Sequence, residues 1–403
     1  MGKFNDEQVN IIDAIKMVSK IMPNAKIKSQ ITNILIIGAF AFPYIFLNIP
    51  SPGDWISVDI FAIYDTVYKI TIYFTVTLFI IINILASIRQ IPKVLLFFFV
   101  FITPFFVVLN LQFAPYVLMF AAVYFLIENI KQGLYSLNIV RVMIILSLLF
   151  SFIQSLYFRS EDGRPALSFI DPNFSAFYIF MLFAVSYNLR LKIIMYLCFA
   201  LGMFMLSRAF LLAVVVFWIL NNTTFFYTFA KRCKVYHPFV MVILSLFLVF
   251  TAGTALRTFG GNDVADYDSG ISRFSTINDG SNRLRFQLND QFLSALTQSR
   301  ELQLHGVTKE FYTANFAPLI PHNGFFEFVR LNGLLLAIIY ISFVFLFILN
   351  KSVKSTFPLL FSYILYMCFL PVIPAGISLL LVSVIYAVTI YKMEYNHVGN
   401  NRS

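Results

Sequence analysis

Four short stretches carry side chains able to act together on an anionic, hydroxyl-bearing substrate. Pro321-His322-Asn323 stands directly before a long apolar run, with Glu327 and Arg330 on the next turns. Ser207-Arg208 interrupts an apolar stretch that otherwise extends from Ile193 to Leu220. Arg283 and Arg285 flank Leu284 in "GSNRLRFQLNDQFLSAL", and Arg164 precedes Asn173 in "GRPALSFIDPNFSAF". A neutral imidazole can take a proton from a hydroxyl. The planar fork of a guanidinium matches the oxygens of phosphate and pyrophosphate. The combination predicts an anionic ligand held by arginines beside a basic His322. Glu327 is the next candidate base if His322 only starts a helix.

Each of these residues also has an ordinary structural role. Arg208 in the middle of one span would be costly in hydrocarbon, and at a span's end it can snorkel to lipid phosphate. Both flanks of its stretch are basic, "NLRLK" before and "AKRCK" after. The stretch is therefore read as two antiparallel spans with Arg208 at the outer tip. Asp171-Pro172-Asn173 is a turn that starts a helix, and Asn323 can cap another. Arg283 and Arg285 lie two residues apart and point in different directions on a helix, so one of them faces the site. Pairing with Asp279 or Asp290 is their structural alternative. Asp266 and Asp268 sit in a Gly- and Asp-rich loop and read as a solvated turn. Cys198, Cys233 and Cys368 have neither metal-ligand spacing nor a disulfide framework.

The elements that must position these groups read as membrane spans. Of the 403 residues 60% are hydrophobic and 12% charged, and the mean hydropathy is +0.82. Repeated apolar runs match the ~30 Å of a bilayer's hydrocarbon. We expect an all-α polytopic integral membrane protein of about 12 transmembrane helices. These lie at residues 31–49, 70–88, 94–110, 113–129, 139–156, 173–189, 190–206, 209–229, 238–254, 323–349, 357–371 and 375–391. Residues 1–30 read as a cytoplasmic tail, 31–254 as spans one to nine, and 255–322 as a large periplasmic loop. Residues 323–391 supply the last three spans and 392–403 a second cytoplasmic tail.

Lysines dominate the inward segments, the positive-inside pattern. Arginines collect at the outer face: Arg159, Arg164, Arg208, Arg257, Arg273, Arg283, Arg285, Arg300 and Arg330. This topology accounts for much of the net charge of +10, so nucleic acid is not an expected partner. Within the loop, Asn282 to Leu296 reads as an amphipathic helix lying on the membrane surface. The chain shows no internal repeat, P-loop, dinucleotide fingerprint or zinc motif.

Taken in order, "GRPALSFIDPN", "LSRAFLLA", "GSNRLRFQLNDQFLSAL", "LHGV" and "PHNGFFEFVRLNGLLLA" resemble the O-antigen ligase/polymerase superfamily of bacterial envelope glycosyltransferases (Wzy-type polymerases and WaaL-type ligases). The resemblance spans residues 160–340. This chain has Ser-Arg-Ala where the family often has Ser-Arg-Gly or Ser-Arg-Thr. The aromatic after the loop arginine is Phe286 rather than tryptophan. The resemblance implies a C-type glycosyltransferase-like architecture in the bacterial inner membrane, with the active site facing the periplasm. It implies an undecaprenyl-pyrophosphate-linked oligosaccharide as donor, with no metal or other cofactor. Membrane lipid, a chain-length regulator and a flippase are the expected partners.

Chemistry and resemblance together assign catalysis to His322, Arg208 and Arg283, and substrate contacts to Arg164, Asn173, Arg285, Asn323, Glu327 and Arg330. The expected activity is polymerisation, moving a growing glycan onto another lipid-linked repeat unit. The alternative is ligation onto lipid A-core. From a different class, a lipid-linked glycan transporter would favour charges in a central cavity between two halves, whereas here charge concentrates in one outer loop and interface.

Overall fold

The computed structural model describes residues 24–45, 71–85 and 93–101 with single gaps, 114–160, 163–167, 171–223, 280–344, 356–370 and 376–400, together with 228 and 348. Among these residues the chain is helical and holds no β-strand, its one isolated bridge joining Arg159 to Pro165. The first half contains α1 (Asn24–Ile45), α2 (Tyr73–Leu85), α3 (Ala114–Lys131), α4 (Leu137–Tyr157), α5 (Pro172–Asn188), α6 (Lys192–Phe204) and α7 (Arg208–Asn222). The second contains α8 (Gly280–Gln298), α9 (Arg300–Leu304), α10 (Lys309–Asn315), α11 (Gly324–Asn332), α12 (Leu334–Phe343), α13 (Phe357–Phe369) and α14 (Gly376–Asn400). By length and composition α4 is long and apolar enough to cross a membrane, the one such helix among the described residues. Helices α2, α6, α7, α12 and α13 are apolar but shorter. The span expected at 238–254 and the loop residues 255–279 lie outside the described residues.

Apolar composition does not by itself separate inner from outer helices, since α5 is no more apolar than α4 or α6. On α5 every residue from Ser175 to Ser186 is buried, and α13 is buried from Phe357 to Cys368. Helices α4 and α6 are instead peripheral. Leu149, Phe150 and Phe152 on α4, and Ile193, Tyr196 and Leu197 on α6, are all exposed. Away from the candidate site, Asn129 on α3 donates to Thr32 Oγ1 and to Asn83 Oδ1, each at 3.0 Å, a buried polar tie between α1, α2 and α3. A buried amide must find such partners or lose its hydration without return.

Helices α5 and α7 run side by side in the same direction. At one end Ser207 Oγ donates to Asn173 Oδ1 at 3.2 Å. Towards the other, the Phe217 ring packs on Phe183 and Tyr187 at 5.8 and 5.3 Å. Their N-termini therefore sit together, which is what brings Asn173 and Arg208 to one place. Helix α6 returns between them and meets α7 at Gly202, where any Cβ would run into the Phe210 ring.

Two expectations about elements are corrected. The apolar run 323–349 is not one helix. It breaks at Gly333, which takes φ +80° and separates α11 from α12. The helix at Asn282 to Leu296 exists as part of α8, but its apolar side is used within the protein. Leu288 and Phe292 are fully buried, and the Phe292 ring stacks on Phe326 of α11 at 5.0 Å. Protein aromatics on α10 and α11 cover the face that composition alone assigned to lipid.

Candidate functional site

Three helix starts form the floor of the candidate site, each with its own cap. Asp171 Oδ1 accepts from the backbone N–H of Asn173 at 2.6 Å and of Phe174 at 3.4 Å, with Pro172 in the first helical position of α5. Ser207 Oγ accepts from Phe210 N–H at 3.4 Å to start α7. Asn323 Oδ1 accepts from Phe325 and Phe326 N–H at 2.9 and 3.2 Å to start α11. Its Nδ2 donates to the Cys368 carbonyl at 3.3 Å, which fastens this start to the last turn of α13. The expected capping roles of Asp171 and Asn323 are therefore present. Helix starts carry partial positive charge from their first N–H groups, so this end of the molecule favours an anion.

The segment before α5 adds a cation to this floor. Phe158 to Ala166 doubles back as a tight loop, with Ala166 N–H on the Phe158 carbonyl at 3.1 Å and Ser160 N–H on the Arg164 carbonyl at 2.9 Å. Gly163 supplies the left-handed residue of the turn at φ +75°. Leu167 N–H then donates to Ser175 Oγ at 2.8 Å, which holds the loop against α5. Arg164 is 5% exposed, so it is held in the protein and not waving in solvent.

His322 lies one residue ahead of the α11 cap and is partly buried. Its Nδ1 is buried and has no hydrogen-bond partner among the described residues. Burial lowers its pKa below the ordinary histidine value, and the nearby Arg285 guanidinium lowers it further. The Asp171 carboxylate opposes both. Those two influences locate the imidazole near both Arg285 of α8 and the start of α5. Arg285 is half-buried on α8 and acts on His322. Arg283 lies in the same helix, but its side chain is outside the described residues.

Arg208 occupies the first position of α7, immediately after a break in the apolar stretch. Leu206 takes φ +51° in the three-residue connection from α6, a left-handed conformation unusual for leucine. The helix–turn–helix reading of this stretch holds, and the arginine stands at its tip. Asn173 is hydrogen-bonded to the residue just before it. The site thus brings Asn173 beside Ser207, the residue before Arg208, and sets His322 near Arg285 and the start of α5.

Glu327 and Arg330 do not join them, which corrects the expectation that both contact substrate. Arg330 Nε and Nη2 donate to the two Glu327 oxygens, each at 2.7 Å, and Nη1 donates to the Val307 carbonyl at 2.7 Å. Both residues are buried, at 3% and 6% exposure. A fork closed on a carboxylate and a carbonyl has spent the donors that would bind phosphate. For the same reason Glu327 is occupied and is no substitute base.

Sequence reasoning missed the partner of that ion pair. Val307 N–H donates to the Arg330 carbonyl at 2.6 Å, so the "LHGV" loop and the end of α11 are clasped twice. Gly306 and Gly333, both at positive φ, face one another's backbones. A Cβ on Gly306 would meet Leu331, and one on Gly333 would meet Leu304. The only advance signal in the sequence is one glycine in "LHGV" and one between "FVRLN" and "LLLA".

No family model, curated protein or solved structure matches this chain.

Proposed function

We propose that the protein is a membrane-embedded, metal-independent glycosyltransferase that extends a surface polysaccharide. Its donor is a growing glycan on undecaprenyl pyrophosphate. Its acceptor is a sugar hydroxyl of another undecaprenyl-pyrophosphate-linked repeat unit. The observation that carries this reading is His322 Nδ1, buried and without a partner among the described residues, held near Arg285 and the capped start of α5.

In this reaction the acceptor oxygen attacks the anomeric carbon of the donor sugar. The bond from that carbon to the pyrophosphate oxygen breaks, and its electron pair leaves with the pyrophosphate. Arginines and helix starts stabilise the charge that grows on the leaving group. The hydroxyl proton passes to an imidazole nitrogen of His322. A lowered pKa suits that task, because only the unprotonated ring accepts a proton. Asn173 and Asn323 act through position, the first through Ser207 beside Arg208 and the second by fixing the helix start next to His322.

The membrane setting is supported by α4 and by the large apolar side chains left exposed on α2, α4, α6 and α7, a pattern that hydrocarbon accommodates and water does not. The twelve-span, C-type architecture, the inner-membrane location and the outward orientation of the site belong to the same proposal. Ligation onto lipid A-core is the alternative use of the same donor site. The glycan of a deletion strain separates the two. Single repeat units on the core report a lost polymerase, whereas free lipid-linked polymer beside bare core reports a lost ligase. Normal surface glycan in that strain contradicts both.

A further inference from the structure

We propose that the apolar groove between α4 and α6 receives the hydrocarbon tail of the polyprenyl pyrophosphate donor, with Arg159 at its mouth. The inference rests on the glycosyl-transfer reading and adds to it a second binding region. The groove encloses about 590 Å³, within the ~300–1,000 Å³ usual for ligand pockets. Ile145, Leu149 and Phe152 form one wall, and Ile194, Leu197 and Phe204 the other. Among the described residues every lining side chain is apolar, and none of them can orient a sugar or a phosphate. Its α4 wall, from Ile145 to Leu156, is roughly 17 Å long at ~1.5 Å per residue. That is the shape for a chain, not for a compact ligand.

Charge at one end decides which chain. The Arg159 guanidinium lies 5.9 Å from the centroid of the Phe204 ring, at the end of the groove wall. Arg159 also bridges to Pro165, next to Arg164. Phe204 ends α6, and three residues later Arg208 begins α7. A tail lying in the groove therefore places its anionic head at the Arg159 guanidinium, next to the loop that carries Arg164.

Ala200 lines the same groove and is exposed, so Ala200→Trp fills it from the surface, and Ala200→Ser serves as a control that leaves it open. Two donors with the same oligosaccharide pyrophosphate are compared on the full-length protein, one with a long polyprenyl tail and one with a short, water-soluble tail. Ala200→Trp is expected to raise KM for the long-tailed donor about tenfold, equivalent to losing roughly two buried methylenes. Its kcat, and its KM for the short-tailed donor, should match wild type, as should both donors with Ala200→Ser. Equal KM values for Ala200→Trp and wild type on both donors overturn the inference, and so does an equal loss on both. If wild type transfers neither donor, the glycosyl-transfer reading falls, and the groove is judged by photo-crosslinking of long-chain polyprenyl pyrophosphate. Crosslinks to α6 in wild type but not in Ala200→Trp support the groove. Equal labelling of the two, or full displacement of the label by excess phospholipid, overturns it.

Discussion

Arg330 and Arg285 sit in two differently built regions of this protein. At the clasp between the "LHGV" loop and α11, one guanidinium meets one carboxylate at 2.7 Å and the pair is sealed from solvent. At the helix starts, Arg285 and the Asp171 carboxylate, whose Oδ1 caps α5, both act on His322. The clasp is neutral and finished. The helix starts have a buried imidazole nitrogen with no partner among the described residues. The same residue type is thus a fastener in one place and, on the proposed function, a ligand group in the other. What distinguishes them is whether a carboxylate lies three residues away on the same helix, as Glu327 does for Arg330.

The sharpest way to break this comparison is to delete one arginine from each region. Arg330→Ala leaves Glu327 buried without its cation, and losing one partner of a buried pair costs ~3–5 kcal/mol. Chemical denaturation of the detergent-solubilised protein should show that loss, with glycan transfer falling only in step with the folded fraction. Arg208→Ala should do the reverse, leaving the unfolding midpoint in place while transfer falls by ~10²–10³-fold. Arg208→Lys should keep part of the activity, because a point charge replaces a fork. Equal damage to stability and transfer by both variants would erase the distinction.

Gly333→Ala sharpens the clasp side. The residue needs φ +80°, and its Cβ would strike Leu304, so a loss of ~1–3 kcal/mol in stability is expected. Unfolding curves that match wild type would mean the two backbones are not packed as described.

The pH profile sharpens the other side. His322 has its pKa lowered by burial, then by Arg285, and raised by Asp171. Its proton-accepting form therefore persists below the ordinary histidine pKa of 6.5. The acid limb of the rate profile should have its midpoint below that value. Arg285→Ala should move the limb to higher pH, and Asp171→Asn to lower pH. In stability terms a depressed histidine pKa means the unfolded chain binds the proton more readily, so folding weakens as pH falls from the unfolded value to the folded one. A limb that ignores both substitutions would remove His322 from the rate-limiting proton transfer. Asn323→Asp keeps the capping oxygens but turns a buried carboxylate oxygen toward the Cys368 carbonyl, and the unfolding free energy should fall by ~1–3 kcal/mol.

Much of this arrangement was legible from residue types alone. The start of α5 was readable because Asp-Pro-Asn offers a cap, a fixed φ and a second polar group in succession. The break before α7 was readable because Ser207-Arg208 is out of place in an apolar run. The gap in the run after His322 was not, because Gly333 sits between "FVRLN" and "LLLA" and nothing nearby demands a positive φ. Its cause is Gly306, distant in sequence and close in space. The covering of Phe292 by Phe326 was hidden for a different reason. An apolar helix face looks the same whether it meets protein aromatics or lipid. Arg330 was misassigned because its charge, seen without geometry, resembles that of Arg285.

On the proposed mechanism His322 takes the acceptor's proton while arginines hold the departing pyrophosphate. The direct measurement is extension of a lipid-linked repeat unit by purified protein, with no membrane gradient and with chelator present. Wild type should lengthen the glycan. His322→Ala should bind the lipid-linked donor with unchanged affinity and lengthen it ~10²–10⁴-fold more slowly, while His305→Ala should match wild type. Wild-type turnover by His322→Ala, or no lengthening by the wild-type protein, would contradict the account.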